Sequence, residues 1–136
     1  MRIVIVLCAA LLSSCAAKSE SRVFGIPTVT KDNLQSEAFI VEYKNTGRKT
    51  VCLTPDNWPN SAGKIDQASS RVWVDAGGAR YNLQEFNTGY CPQCATKVRV
   101  GETVTSKIPY LEFGIPPHLY GGKKALHFEP TGFFCK

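Results

Sequence analysis

Ala38-Phe39-Ile40-Val41-Glu42-Tyr43-Lys44-Asn45-Thr46-Gly47 is the stretch whose reading decides the fold. Phe39, Val41 and Tyr43 fall on one side of an extended chain, with Glu42 and Lys44 on the other. A period of two with one apolar face marks a strand buried on one side only. Asn45-Thr46-Gly47 carries turn chemistry, and Lys49 to Leu53 reads as a returning strand, so the segment predicts a β-hairpin.

Working outward, Val23 to Thr30 predicts an edge strand interrupted by Gly25 and Pro27, and Lys31-Asp32-Asn33 a turn. Thr54 to Ser70, with Pro55, Trp58, Pro59 and Gly63, is the longest irregular stretch. Arg71 to Asp75 and Ala79 to Leu83 are strands around Ala76-Gly77-Gly78, with Val72 and Val74 inward on the first and Ala79, Tyr81 and Leu83 on the second. After a loop at Asn87 to Gln93, Ala95 to Val100 alternates again. Gly101-Glu102 turns it into Thr103 to Tyr110. Phe113 to Gly122 is a second loop, Lys124 to Glu129 a last strand, and Phe133-Phe134-Cys135 an apolar end.

No segment keeps a helical period over three turns. Seven or eight short strands separated by turn signals predict an all-β domain, an antiparallel β-sandwich or small barrel. Val100-Gly101-Glu102-Thr103-Val104 is similar to the turn before a late strand in immunoglobulin-like bacterial modules. The order of features over roughly residues 36 to 110 resembles such modules too, which implies an immunoglobulin-like sandwich and brings no catalytic residue with it.

The amino terminus carries a different message. Met1-Arg2 supplies one positive charge, and Ile3 to Leu12 holds no polar side chain but the Cys8 thiol. Ten residues suit the apolar core of a signal peptide and fall short of the roughly 20 that span a bilayer. Leu12-Ser13-Ser14-Cys15 resembles the lipobox of bacterial lipoproteins. The resemblance implies cleavage before Cys15 and a diacylglyceryl group on its sulfur, with usually an acyl group on the new amino terminus. Cys8 follows Leu7, too large for that position. The alternative is an ordinary secretory signal cut near Ala16-Ala17. Ala16 in place of Asp after the cysteine implies, by resemblance to Gram-negative lipoproteins, an outer-membrane protein facing the periplasm. Ala16 to Arg22 is a small, polar tether of seven residues reaching at most ~25 Å.

Removal of residues 1–14 leaves 122 of the 136, one domain by length. The net charge of +5 falls to +4 with the loss of Arg2, and the basic residues are scattered. A nucleic-acid protein would show them as a stripe, so none is expected as partner; mild attraction to anionic lipid or an acidic partner remains open. With Cys15 lipidated, Cys52, Cys91, Cys94 and Cys135 are an even set in an oxidising compartment. Three pairings are possible. Cys91–Cys94 as a local bridge with Cys52–Cys135 as a long one is favoured over those giving Cys52 to Cys91 or Cys94. The long bridge adds ~4 kcal/mol by chain entropy. Cys91-Pro92-Gln93-Cys94 also has the spacing of half a zinc site, which leaves a zinc or copper carrier as an alternative function. A redox motif there would open a helix, and haem attachment would need His where Ala95 stands.

His127 lies between Leu126 and Phe128 and should point to solvent. No nucleophile elbow, HExxH or phosphate-cradling glycine loop is present, and no cofactor beyond the lipid is implied. The sequence therefore predicts a non-catalytic, lipid-anchored envelope protein that binds an envelope partner. Its two long loops, with Trp58, His118 and Tyr120, are the candidate binding surface, since aromatics dominate interface energetics. Gly78-Ala79-Arg80-Tyr81 resembles a segment of periplasmic lysozyme-inhibitor lipoproteins, which implies an enzyme-inhibitor alternative. A basic domain meeting a basic enzyme would do so against like-charge repulsion.

Overall fold

The computed structural model describes residues 22–23, 25–66, 72–84 and 94–135. Cys15 and Cys91 lie outside them. Among the described residues the alternating segments form ten strands in three antiparallel sheets, with only short 3₁₀ turns between them. The first sheet has the order β1 (Arg22–Val23), β10 (Gly132–Phe134), β4 (Val51–Leu53), β7 (Thr96–Val98). The second runs β2 (Thr28–Asn33), β3 (Ala38–Lys44), β8 (Thr103–Pro109), and the third β6 (Ala79–Asn82), β5 (Val72–Ala76), β9 (Lys124–Phe128). All three turn an apolar face to one core, so the architecture is the expected all-β sandwich. The pairing establishes the class; the immunoglobulin-like subtype rests on the sequence resemblance alone.

Ten strands replace seven or eight because the ends divide. Gly25 and Pro27 split the first stretch into β1 and β2, which join different sheets, and Phe133-Phe134 pairs as β10. Lys31-Asp32-Asn33, expected as a turn, continues β2 against β3 as far as Asn33 opposite Ala38. The reversal falls instead at the 3₁₀ turn Leu34–Ser36. There Asn33 Oδ1 accepts from the Ser36 amide at 3.1 Å.

In β3, Phe39, Val41 and Tyr43 are buried while Glu42 and Lys44 are exposed, as the alternation requires. Ile108 of β8 lies beside Phe39 in the same sheet, Val51 and Leu53 of β4 and Val98 of β7 come to the core from another, and β5 adds Val72, Val74 and Ala76. Full burial of a side chain of this size contributes about 1.5–3 kcal/mol.

The expected hairpin at Asn45-Thr46-Gly47 does not form. β3 pairs with β2 and β8, β4 with β10 and β7, so the chain crosses from one sheet to another in an arch. Residues 99–102 make a second arch beside it, from β7 into β8. Asn45, 1% exposed, ties the two together. Its Nδ2 donates to the carbonyls of Lys49 and Val98, both at 2.9 Å, and its Oδ1 accepts from the Gly47 amide at 3.0 Å. Its own amide donates to Glu102, and its carbonyl accepts from Gly101. One side chain thus meets the backbone demands of two crossings where no ladder can.

Cys52 and Cys135 are bonded, 83 residues apart in sequence, with Cα atoms 5.3 Å apart. The bridge fastens the carboxyl-terminal end beside β4, where Phe133 already lies opposite Cys52, and a closed loop of that length is worth ~4–5 kcal/mol by chain entropy. Cys94 is also disulfide-bonded, so the rival pairings of Cys52 with Cys91 or Cys94 are excluded.

Asn45→Ala would leave the buried Val98 carbonyl unpaired and remove the partners of the half-buried Lys49 carbonyl and Gly47 amide. We expect a loss of about 2–4 kcal/mol, read as a lower midpoint in denaturant with an unchanged slope.

Candidate functional site

The expected site residues are not brought together. Trp58 follows a turn in which its amide donates to the Thr54 carbonyl at 2.9 Å, and this aims the indole inward. The side chain is 3% exposed and packs on Phe128 with ring centroids 5.8 Å apart. This corrects its expected place on the surface: a large apolar ring in a short-stranded sandwich fills the end of the core. His118 is exposed on the 3₁₀ turn Pro117–Leu119.

Tyr120 is half-buried in a different cluster. Its ring meets Tyr110 edge-on at 4.9 Å, and its carbonyl accepts from Lys124 Nζ. The Lys124 side chain, 1% exposed, pairs with Asp32 at 3.1 Å and lies 4.7 Å from the Tyr110 ring centre. The Tyr110 hydroxyl donates to Asp32. Burial, reinforced by the Asp32 hydrogen bond and charge, pushes the Tyr110 phenol well above the ordinary tyrosine range. A buried cation satisfied by a carboxylate, two carbonyls and a ring face is a structural joint between β2, β9 and the loop before it.

A surface that the sequence reading passed over lies on the outer face of β6-β5-β9. Gly77 and Gly78, both at positive φ, make the tight turn that only this backbone freedom allows between right-twisted strands. The hairpin brings Asp75 opposite Arg80, and β9 brings His127 opposite Trp73. The His127 ring stacks on Trp73 at 4.7 Å and 13°, and the Arg80 guanidinium carbon sits 4.6 Å from the Trp73 ring centre. Because β6 and β9 flank β5, the indole stands between the two. Asp75 accepts from Arg80 Nε at 3.2 Å and pairs with His127 Nε2 at 3.0 Å.

Partial burial pushes the Asp75 carboxyl up. The Arg80 hydrogen bond and charge, then the His127 charge, outweigh it and hold the group below the usual carboxylate value. The Trp73 indole N–H has no hydrogen-bond partner. The row is thus a fixed strip of π surface with the Arg80 cation at one edge and the His127 ring at the other, both open to solvent. His127 was expected outward and is; its partners come from residues more than 45 positions away in sequence, which no local pattern announces.

Comparison with family models, with curated proteins and with solved structures finds no match.

Among the described residues no three of His, Cys, Asp and Glu converge as a metal site would require. Cys94 is held in a disulfide, whose sulfur is not the thiolate that zinc takes.

Trp58→Ala should cost about 3–5 kcal/mol through the cavity it leaves, whereas His127→Ala on the outer face should cost no more than about 1 kcal/mol; denaturant titration of both variants separates core from surface. The raised Tyr110 value sets a second expectation. The folded protein keeps the phenol proton that the unfolded chain releases near pH 10, so stability from this group is whole below about pH 10 and is lost as pH climbs towards the folded value. The fall of stability above about pH 10, read by denaturant titration at successive pH values, should be shallower in Tyr110→Phe.

Proposed function

We propose that the protein is a lipid-anchored envelope protein that works by binding, and that the outer face of β6-β5-β9 is its binding surface. The His127–Trp73–Arg80 row carries this reading. Trp, Tyr and Arg dominate interface energetics when their positions are set before the partner arrives. Here neighbouring strands hold Trp73 and Arg80 in place, so little side-chain freedom remains to be lost on association. The lipobox resemblance at Leu12–Cys15 supports the anchor. Two or more acyl chains on one residue would hold the protein stably, at ~0.8 kcal/mol per buried methylene.

The partner this surface suits is a protein that presents carboxylates beside an apolar patch. Arg80 can turn a free edge to a carboxylate, and the exposed imidazole adds a donor when protonated. The same strand pair bears Gly78-Ala79-Arg80-Tyr81, the segment that resembles lysozyme-inhibitor lipoproteins. Lysozymes are therefore the first partners to try.

Anchored protein recovered from its native envelope should bring down a specific partner. Arg80→Ala should weaken that complex about 30-fold, the ~2 kcal/mol of an interface hot spot, while Leu111→Ala on another exposed surface leaves it intact. Equal recovery by both variants would remove the surface from consideration. Unchanged lytic activity at large molar excess would remove lysozyme.

A further inference from the structure

The two arches mark one end of the sandwich, and the register shows which way the amino terminus enters it. Arg22 lies opposite Phe133 and Val23 opposite Gly132, so β1 points its beginning towards Phe134 and Cys135. Phe134 lies opposite Val51, and the Cys135 amide donates to Thr50 in the first arch. Across β4, Val51 faces Val98, which puts Arg99 level with Thr50. The tether therefore meets the domain at the arch end.

That end is basic. Lys44 closes β3, Arg48 and Lys49 lie in the first arch, Lys97 and Arg99 lie on β7 and its exit, and all five are exposed. Among the described residues, none of the five is in an ion pair. The one acid of the second arch, the exposed Glu102, accepts from the Arg99 amide at 2.8 Å. Val100 is 56% exposed at the tip. A cleft of about 300 Å³ opens between the first arch and β1, with Val23, Val51 and Phe134 as its floor and Arg48 and Lys49 at its rim. At the other end of β3, where the Tyr110 amide donates to the Glu37 carbonyl, charges are paired: Glu112 with Lys64 at 4.0 Å and Asp32 with Lys124 at 3.1 Å.

We propose that the arch end rests on anionic lipid head groups of the membrane that holds the protein, with Lys44, Arg48, Lys49, Lys97 and Arg99 as its contacts. This rests on the lipid-anchor reading. With Arg22 already in β1, the six residues Ala16 to Ser21 hold the domain within ~21 Å of the bilayer, and attachment at this end turns the cations towards the surface. Each basic side chain near an anionic surface gains ~1 kcal/mol, an attraction that falls off within a Debye length of ~10 Å. The cleft, apolar below and cationic above, suits the junction of a lipid phosphate with its acyl chains.

The test uses the protein purified from its own envelope and inserted into phosphatidylcholine vesicles with or without phosphatidylglycerol. Amides at 46–50 and 99–102 should exchange several-fold more slowly on the anionic vesicles, and the slowing should vanish in ~1 M salt, where the Debye length is ~3 Å. Arg48→Ala and Lys97→Ala, at exposed positions, should each shrink it about fivefold, the ~1 kcal/mol per cation above. Mass spectrometry of the same preparation reads the acyl groups on Cys15. Acyl groups present with identical exchange on both vesicles would overturn the lipid face and leave the anchor standing. Acyl groups absent would overturn the anchor, and the face would then stand or fall on whether the unacylated chain sediments with anionic vesicles and not with neutral ones.

Discussion

The structure depends on the hydrogen bonds of one buried amide. A sandwich must pass its chain between sheets, and each crossing leaves backbone groups that no ladder can satisfy. Two crossings lie side by side here, from β3 to β4 and from β7 to β8, and Asn45 serves both. An apolar side chain at that position would bury the same area and strand the carbonyls of Lys49 and Val98. Asparagine has a donor pair and an acceptor in one planar group, and both are used. Asn45 therefore sets the distance between the two sheets at this end, and with it the depth of the core between Tyr43 and Val51.

The remaining restraints act further from the arches and are of different kinds. The disulfide from Cys52 to Cys135 holds the last strand beside β4, so the short β10, with three residues of ladder, need not survive on hydrogen bonds alone. The Lys124–Asp32–Tyr110 cluster closes the other end, where the loop after β8 returns to enter β9. A buried ammonium is a costly way to join two segments, and removal of one partner strands the other charge. What such a joint adds is direction: only one approach of β9 to β2 satisfies Lys124.

The sequence revealed the parts of this fold that obey local rules. Phe39-Val41-Tyr43 and Val72-Val74 alternate because each strand has one wet and one dry face, and the structure buries those residues. An even cysteine count left three pairings open, and the favoured Cys52–Cys135 is the bridge that forms. The hairpin failed because Asn45-Thr46-Gly47 reports only that the chain bends, not which sheet receives it. Trp58 looked like a loop aromatic because Pro55 and Pro59 surround it, yet proline-rich loops can fold over a core and fill it. The Trp73 surface was hidden for the opposite reason. Its strand reads as an ordinary member of a sheet, and its meaning lies in cross-strand neighbours, Arg80 and His127, that pairing alone supplies.

Pairing also gives the molecule a polarity. Lys124 binds Asp32 near the end of β2 furthest from the arches, and Lys124 lies opposite Ala76, one residue before the Gly77-Gly78 turn. The hairpin that carries Asp75 and Arg80 is therefore at the end opposite the one where β1 begins. With the basic arches turned to a lipid surface, the Gly77-Gly78 turn would stand at the far end of the domain, and the Trp73 row would lie along the outer face of the sheet that ends there. On the proposed reading the two cationic features would have separate tasks. Arg48, Lys49, Lys97 and Arg99 are spread and exposed, outside any ion pair among the described residues although Lys49 lies over the Phe134 ring, which suits a diffuse anionic sheet and makes their contribution sensitive to salt. Arg80 is stacked, bonded to Asp75 and fixed, which suits a single carboxylate and makes its contribution sensitive to geometry.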